Sequence, residues 1–152
     1  MSSRIFRTIS IILAGIGLLD SIYLSWTKIT HQEAYCGGSG DCQTVANSPY
    51  SEVAGIPIAF IGVAAYLVII GLLYLEGRNK FWRQNSPLIV FGLTLTGTLY
   101  SLYLTYIEIA VIFAICPYCV VSAIVMALLF IIAIVRLFMD NPETSTLADR
   151  GG

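Results

Sequence analysis

The sequence has little charge. Asp, Glu, Lys and Arg make up 11% of its 152 residues, whereas hydrophobic residues make up 57%. A soluble domain carries about 25% charged residues and roughly 45–50% apolar ones. The chain also lacks a basic patch with interleaved aromatic residues, so we expect no nucleic acid among its partners.

A polar stripe is missing from the apolar segments. The segment Ile58–Leu75, for example, has no charged residue and almost no polar one, whereas a surface helix of a soluble protein has a polar face. A helix that crosses a bilayer needs about 20 mostly apolar residues. The sequence therefore predicts an all-α integral membrane four-helix bundle, with spans at Ile5–Trp26, Ile56–Leu75, Leu88–Ile109 and Cys116–Met139.

The N-terminal segment lacks a convincing cleavage site. Arg4 and Arg7 precede an apolar run, as in a secretory signal peptide, but the run continues to Trp26 without a small-x-small motif. We interpret it as a retained first helix. The four-helix transmembrane domain is predicted to occupy residues 1–139, and the polar segment 140–152 is predicted to be a disordered cytoplasmic tail.

Basic residues are scarce on one side of the predicted bundle. With four helices, both termini share a side, and an excess of Lys and Arg marks the cytoplasmic side. We therefore expect both termini and the loop Glu76–Pro87, which ends at the start of the third helix, in the cytoplasm. The loop Thr27–Val53 would face outward from a prokaryotic cytoplasmic (inner) membrane. Lys28 is the single basic residue there, against Arg4, Arg7, Arg78, Lys80, Arg83, Arg136 and Arg150 on the other side.

All four cysteines lie in or beside the segments predicted to face outward, where an oxidising compartment permits disulfides. Cys36 and Cys42 enclose a glycine-rich run in the long loop. Cys116 and Cys119 enclose Pro-Tyr at the start of the fourth helix, and helix positions three apart share one face. These two can therefore bridge, and the helix N-terminus favours the thiolate of Cys116.

The two cysteine pairs differ in the freedom of the surrounding chain. Glycines let the segment between Cys36 and Cys42 close a small ring and also swing, while the C-P-Y-C pair is fixed on a helix. This pattern predicts a shuttle that takes electrons from a soluble dithiol and passes them on by thiol–disulfide exchange. Cys119 lies one turn deeper than Cys116, where a quinone dissolved in the outer leaflet could approach it.

Three other interpretations of the cysteines remain open. Two structural disulfides would explain four outward cysteines, but not a C-P-Y-C motif at a buried helix start. A zinc site of four cysteines, or of three with His31, is compatible with the spacing, but the oxidising compartment and the depth of Cys119 disfavour it, so we expect no metal. The third is a non-enzymatic structural membrane protein.

These features together resemble the vitamin K epoxide reductase family, specifically its bacterial-type homologues. The matching features are the four helices, the loop cysteine pair, Ser48 six residues after Cys42, Gly55-Ile56-Pro57 at the second helix, and C-P-Y-C at the fourth. They extend over most of residues 10–139. The resemblance implies a membrane thiol–quinone oxidoreductase, with ubiquinone, menaquinone or a vitamin K type quinone as the electron acceptor.

The resemblance also implies a role for each matching position. The Cys116–Cys119 disulfide would reduce the quinone, with Cys119 as the sulfur that faces it. Cys42 would exchange with Cys116, and Cys36 would be open to the partner. Ser48 would support the redox site by hydrogen bonding, although from its sequence alone it is better explained as a turn residue before a proline.

The family further implies a protein partner. Many bacterial homologues carry a fused thioredoxin-like domain after a fifth helix, and from this sequence we expect neither. We therefore expect a periplasmic or extracytoplasmic thioredoxin-like partner of the DsbA type, whose reoxidation would support disulfide formation in exported proteins. The eukaryotic branch instead reduces vitamin K epoxide, and that reaction is the alternative.

Two acidic residues lie within the predicted spans, where a mid-membrane charge costs about 2.5–3.5 kcal/mol. Asp20 either lines the quinone pocket or relays protons, or it is a protonated or hydrogen-bonded carboxyl that reaches Lys28 or Tyr100. Glu108 is interpreted as an interfacial anchor.

Three aromatic residues, Phe60, Tyr103 and Phe113, are candidates for the wall of the quinone site. The alternative for aromatic side chains at this depth is a belt at the membrane–water interface. His31 is alone in an exposed loop and is interpreted as a surface residue.

Overall fold

The computed structural model describes residues 2–32, 35 and 41–140, with the side chains of residues 2, 3, 41–43 and 140 excluded. Four long helices dominate it, and each is long and apolar enough to cross a membrane, which confirms the predicted all-α membrane bundle. A short helix, α2, lies between the first two. The helices are α1 (Ser2–Thr30), α2 (Asp41–Ala46), α3 (Ile58–Glu76), α4 (Lys80–Ile107) and α5 (Pro117–Asp140).

The four long helices form a ring in which α1 and α4 each pack against both α3 and α5. Helices α3 and α5 therefore lie diagonally across the bundle. Lipid is as apolar as these side chains, so close packing rather than water exclusion joins the helices. Gly17 permits one such approach, because a Cβ atom there would lie 2.3 Å from the ring of Tyr66. The core around this contact contains Ala14, Tyr66, Ile69, Leu73, Val125, Met126 and Leu129.

Helix α4 begins at Lys80, eight residues before the predicted start, so the prediction of a loop as far as Pro87 was wrong. Pro87 is buried inside the helix, where it cannot donate a backbone hydrogen bond. A membrane helix tolerates such a proline when neighbouring groups compensate. Ser86 packs this part of α4 against α3 by donating a hydrogen bond to the carbonyl oxygen of Leu72, 3.4 Å away. The connection between α3 and α4 is accordingly short.

A buried ion pair joins the diagonal helices at the end of the bundle where α3 and α5 finish. Arg136 of α5 bonds to Glu76 of α3, and their side chains are 5% and 9% exposed. Two further atoms of this pair, Glu76 Oε2 and Arg136 Nε, are buried without a hydrogen-bond partner within the described part of the chain. Since removing one member of a buried pair leaves a costly unpaired charge, the pair fixes the relative position of the two helices.

The opposite end carries α2, a 3-10 turn and a small hairpin, and we call it the cysteine end. The 3-10 turn is Pro49–Ser51, and strand β1 (Glu52–Val53) pairs in an antiparallel arrangement with β2 (Ile56–Pro57). Ala54 and Gly55 turn the chain with φ angles of 54° and 80°, a left-handed pair that suits a two-residue hairpin. The sequence predicted only a loop in this region.

Helix α4 ends in an irregular turn at the same end. A π-helical turn, Glu108–Ile112, follows it directly, and Phe113 leaves this turn with a left-handed φ of 54°. The amide of Ala114 donates a hydrogen bond back to the carbonyl oxygen of Glu108, 3.1 Å away. Glu108 itself keeps the backbone conformation of α4, and the wider turn after it brings the backbone N–H of Cys116 to the Glu108 carboxyl.

Candidate functional site

Cys116 and Cys119 lie together at the start of α5, as the spacing predicted. The carbonyl oxygen of Cys116 accepts a bond from the amide of Val120 at 3.1 Å, so Cys116 caps the helix. Cys116 is buried and Cys119 is half-buried, and both are thiols. The thiol of Cys119 stabilises the thiolate form of Cys116. The two sulfurs are therefore close enough to interact directly.

The position of Cys116 favours its thiolate. The hydrogen bond from the Cys119 thiol, together with the backbone N–H groups of Cys119 and Tyr118, holds the pKa of Cys116 below its ordinary value. Burial and the nearby Glu108 carboxyl act in the opposite direction without reversing the shift. The lowered pKa agrees with the predicted effect of the helix N-terminus and makes this sulfur a good leaving group in exchange.

Both cysteines line a cavity at the cysteine end of the bundle. Its volume is about 510 Å³, within the usual range for sites that hold a small molecule. Asp20 and Ser48, two further residues predicted for the site, also line it. The remaining lining residues include apolar side chains from three helices, Leu24, Ile61 and Leu104, and polar ones, Lys28, His31, Tyr66, Tyr100, Ser101 and Ser122.

Glu108 belongs to the site, so its interpretation as an interfacial anchor was wrong. It is the first residue of the π-helical turn, its side chain lines the cavity, and it is only 3% exposed. Its Oε2 atom accepts a hydrogen bond from the backbone N–H of Cys116 at 3.4 Å, and its carboxyl also interacts with the thiol of Cys119. The signal in the sequence was an acidic residue inside a span shortly before the C-P-Y-C motif.

Tyr66 is a second residue that the sequence analysis missed. It is fully buried on α3, and its hydroxyl lies 3.0 Å from Ser122 Oγ and 3.3 Å from the carbonyl oxygen of Ser122. Ser122 follows Cys119 by three positions on α5, so the three groups share one side of the cavity. A tyrosine within an otherwise apolar helix was the available signal.

Asp20 lies on the α1 side of the cavity, half-buried. Its Oδ2 atom is shielded from solvent and has no hydrogen-bond partner within the described residues. The expected contact with Lys28 is not made, because the ammonium group of Lys28 instead donates to the carbonyl oxygen of Ala46 at 2.7 Å. Lys28 also lies 3.5 Å from Glu52 Oε1. The Asp20 carboxyl is thus left facing the cavity.

The comparison with known proteins agrees with this arrangement. The sequence model of the vitamin K epoxide reductase family matches residues 8–134. The chain belongs to the vitamin K epoxide reductase family. It is also 35% identical to the thiol-disulfide oxidoreductase LTO1 of Arabidopsis thaliana over 123 residues, which cover 77% of this chain and 33% of that protein. The chain therefore spans about a third of the length of this curated relative.

Ser48, which the resemblance assigned to the redox site, contacts the end of α2. Its hydroxyl donates to the carbonyl oxygen of Val45 at 2.7 Å, and the hydroxyl of Ser51 donates to that of Ala46 at the same distance. Lys28 bonds to Ala46 as well, so three side chains satisfy the last carbonyls of α2. Ser48 thus lines the cavity and also performs the turn role that its sequence context favoured.

The loop pair of the vitamin K epoxide reductase family lies largely outside the described residues. Cys36 falls outside them, and only the backbone of Cys42, in the first turn of α2, is described. Tyr35, the residue before Cys36, is described. Its carbonyl oxygen accepts a hydrogen bond from the Tyr118 hydroxyl at 2.8 Å, and its amide donates to the Tyr23 hydroxyl at 3.2 Å. The chain next to Cys36 is thereby held against the C-P-Y-C motif.

The three aromatic candidates do not line the cavity. Phe60, Tyr103 and Phe113 are 37%, 51% and 84% exposed, and none contributes to the cavity wall. Their outward positions fit the alternative explanation, a belt of aromatic side chains at the membrane–water interface. His31, expected on the surface, is exposed at the end of α1 and borders the mouth of the cavity.

Proposed function

We propose that the chain is a membrane thiol–quinone oxidoreductase in which Cys116 and Cys119 pass electrons from a protein dithiol to a quinone. The observation that carries the proposal is that both cysteines line a cavity of about 510 Å³ inside a bundle of four membrane-spanning helices. The reaction is balanced. Two thiols lose two electrons and two protons as the Cys116–Cys119 bond forms. The quinone takes up the two electrons and the two protons and becomes a hydroquinone.

The cavity wall has groups suited to a quinone. Apolar side chains from α1, α3 and α4 would contact its ring, and the hydroxyls of Tyr66 and Ser122 are hydrogen-bond donors for a carbonyl oxygen on the side of Cys119. Asp20, whose Oδ2 atom has no partner among the described residues, would exchange protons with the reduced product. The volume and the polar groups suit ubiquinone, menaquinone and vitamin K type quinones alike.

The source of electrons in this proposal is a thioredoxin-like protein of the DsbA type. Cys36 would receive its electrons and Cys42 would pass them to Cys116, whose lowered pKa suits it to exchange. The contacts of Tyr35 with Tyr23 and Tyr118 support this route, because they keep the chain beside Cys36 close to the C-P-Y-C motif. The name of the Arabidopsis relative, a thiol-disulfide oxidoreductase, also supports the thiol half of the reaction.

We further propose that the cysteine end faces the extracytoplasmic side of a prokaryotic inner membrane, with both termini in the cytoplasm. The bias of Lys and Arg supports this orientation. The reoxidised partner would then form disulfides in exported proteins. Residues 1–139 would be the catalytic domain, and the tail 140–152 lies largely outside the described residues.

Quinone reduction by the purified full chain in detergent tests the proposal. With dithiothreitol as the donor, we expect activity that Cys116→Ser and Cys119→Ser each abolish. Cys36→Ser should keep part of this activity and lose reduction driven by a thioredoxin-like protein. Full quinone reduction by Cys116→Ser or Cys119→Ser would reject the proposal, as would a chain that reduces no quinone in any lipid or detergent.

A labelling experiment tests the orientation separately. A membrane-impermeant maleimide added to intact cells should label a cysteine introduced at position 31 and not one introduced at position 79. The reverse pattern would place the cysteine end in the cytoplasm and exclude an exported protein as the partner.

A further inference from the structure

Glu108 lies where α4 passes into an irregular turn. Its own backbone is still helical and its side chain is only 3% exposed, while the π-helical turn and the left-handed Phe113 that follow lead the chain back toward Cys116. A carboxyl inside a membrane bundle costs free energy, and such residues are usually paired with another group or have a function. Irregular π-helical turns occur frequently at functional sites. We therefore expect the carboxyl of Glu108 to make a specific contact inside the bundle.

That contact is with the two cysteines. Glu108 Oε2 accepts the backbone N–H of Cys116 at 3.4 Å, which orients the carboxyl, and the carboxyl also faces the thiol of Cys119. The three residues share one cavity wall. Among the described side chains, the other ionisable ones of that cavity are Asp20, Lys28, His31, Tyr50, Tyr66 and Tyr100.

Cys119 needs a proton acceptor in the proposed reaction. Its thiol must lose a proton when the disulfide forms and regain one when the disulfide is reduced. Cys116 is a poor candidate, because the lowered pKa of its own thiol makes its thiolate a weak base. The ammonium group of Lys28 donates a hydrogen bond to the carbonyl oxygen of Ala46 and lies near the carboxyl of Glu52. The Oδ2 atom of Asp20 accepts no hydrogen bond from the described residues, so no thiol donates to it. Among the carboxyls of the described residues, Glu108 lies on the same cavity wall as Cys119, bonds to the backbone N–H of Cys116 and interacts with the Cys119 thiol.

We propose that Glu108 is the group that removes the proton from Cys119 and returns it. This inference rests on the proposed thiol–disulfide chemistry of the pair. When the pair is reduced, a thiolate of the loop attacks Cys116 and forms a mixed disulfide with it as the Cys116–Cys119 bond breaks, and the Cys119 sulfur leaves with the electron pair and takes a proton from the Glu108 carboxylic acid. The second thiolate of the loop pair then attacks the loop sulfur of the mixed disulfide, closes the loop disulfide and releases Cys116 as a thiolate. When the pair is oxidised, the Glu108 carboxylate takes the proton of Cys119 back and the Cys119 thiolate attacks the oxidant. The Cys116 thiolate then attacks the Cys119 sulfur, so that the Cys116–Cys119 bond forms as the reduced oxidant leaves with the electron pair.

The test compares two substitutions in the full-length protein in detergent. Glu108→Gln keeps an oxygen that can accept the Cys116 N–H but cannot take up a proton, and Glu108→Asp keeps the acid. The measurement is the single-turnover rate at which the reduced pair becomes a disulfide with dithiodipyridine, a small soluble disulfide, across a range of pH. This step needs no quinone and no protein partner.

We expect Glu108→Gln to slow this oxidation by about 10²-fold, the lower end of the usual contribution of general acid–base catalysis. The wild-type rate should rise with pH through the ionisation of a carboxyl, and this part of the profile should disappear in Glu108→Gln and persist in Glu108→Asp. Glu52→Gln is the matched control, since its carboxyl is exposed and does not line the cavity, and its profile should equal that of the wild type.

Three outcomes overturn the inference. The first is a wild-type pH profile of the oxidation rate in Glu108→Gln. The second is an equal loss of rate in Glu108→Gln and Glu108→Asp with unchanged pH profiles. The third is the same loss of rate in Glu52→Gln. Cys116 alkylation and the thermal unfolding midpoint identify a variant that has failed to fold. If Glu108→Gln fails to fold, the pH profile of Glu108→Asp decides whether the inference stands. If the wild type reacts with dithiodipyridine as expected but reduces no quinone, the proposed function fails while the role of Glu108 stands.

Discussion

The hydroxyl of Tyr118 donates a hydrogen bond to the backbone oxygen of Tyr35, 2.8 Å away, across a sequence separation of 83 residues. Tyr118 is the third residue of C-P-Y-C, and Tyr35 immediately precedes Cys36. The ring of Tyr118 also packs against that of Tyr23, with centroids 5.2 Å apart. One residue of the helix motif therefore holds the chain that leads to the loop pair.

Replacing Tyr118 by Phe should slow electron transfer from the loop pair to Cys116. The ring stays and one hydrogen bond of about 1 kcal/mol is lost, which corresponds to about a 5-fold effect if the bond is present only in the docked loop. The measurement is turnover with a thioredoxin-like donor compared with turnover with dithiothreitol, which reduces the helix pair directly. Tyr106→Phe is the control, because Tyr106 is exposed at the end of α4. Equal losses with both donors would contradict the role.

Removing the thiol of Cys119 should raise the pKa of Cys116. In the wild type, alkylation of Cys116 by iodoacetamide should have its midpoint below about 8.5, the ordinary value for a thiol. Cys119→Ala removes the first of the groups that stabilise the thiolate, so its midpoint should move upward. Cys119→Ser keeps a donor and should shift less. A midpoint unchanged in Cys119→Ala would show that the helix N-terminus alone is sufficient.

The same lowered pKa predicts how the stability of the reduced protein depends on pH. The folded state favours the Cys116 thiolate, so its contribution to the free energy of unfolding is present above the pKa of the unfolded thiol. It is lost as the pH falls through the lower, folded-state pKa. The thermal unfolding midpoint of the reduced protein should therefore rise with pH in this window, and Cys116→Ser should remove the rise.

Tyr66→Phe should weaken the interaction with the quinone without affecting thiol exchange. The ring that fills the core beside Gly17 is retained, and the hydroxyl bonded to Ser122 is lost. We expect the KM for the quinone to increase about 5-fold, the equivalent of one hydrogen bond of about 1 kcal/mol. Oxidation of the pair by dithiodipyridine should be unchanged. A fall in both activities would instead indicate that Tyr66 has a structural role.

Two glycines of α1 provide a matched pair for the packing. A Cβ atom on Gly17 would lie 2.3 Å from the ring of Tyr66, whereas one on Gly15 would meet nothing within 4 Å. Gly17→Ala should therefore destabilise the bundle by about 1–3 kcal/mol, the usual cost of overpacking. Gly15→Ala should be neutral or stabilising by up to about 1 kcal/mol, since alanine favours helix. Thermal unfolding in detergent measures both, and similar values would contradict the packing.

The four spans could be predicted because each apolar run is long enough to cross a membrane without ambiguity. The start of α4 could not, because Lys80 and Arg83 read as loop residues although they occupy the first turns of a helix that continues beyond the apolar part. The six residues of α2 are too few for a helical period to be visible in the sequence. Its last carbonyl groups are bonded by side chains outside it, those of Lys28, Ser48 and Ser51.

The cysteine pair of the site was predictable because its geometry is local, three positions on one helix. The role of Glu108 was not, because an irregular turn of the chain brings the backbone N–H of Cys116 to its carboxyl. The outward positions of Phe60 and Tyr103 could not be predicted for a different reason. A helix that is apolar on all sides gives no periodic signal for the side that faces the bundle, so aromatic residues could not be assigned to the cavity or to the lipid.

An apolar layer separates the two polar contacts between the diagonal helices α3 and α5. Tyr66–Ser122 lies at the cavity and Glu76–Arg136 lies near the far end of the bundle, and the fully buried side chains of Ile69, Leu73 and Leu129 lie between them. The buried hydroxyl of Thr94 bonds to the backbone of its own helix. If the proposed reaction takes place in the cavity, its protons should be taken from and returned to the cysteine end, and the reaction should transfer no net charge across the bilayer.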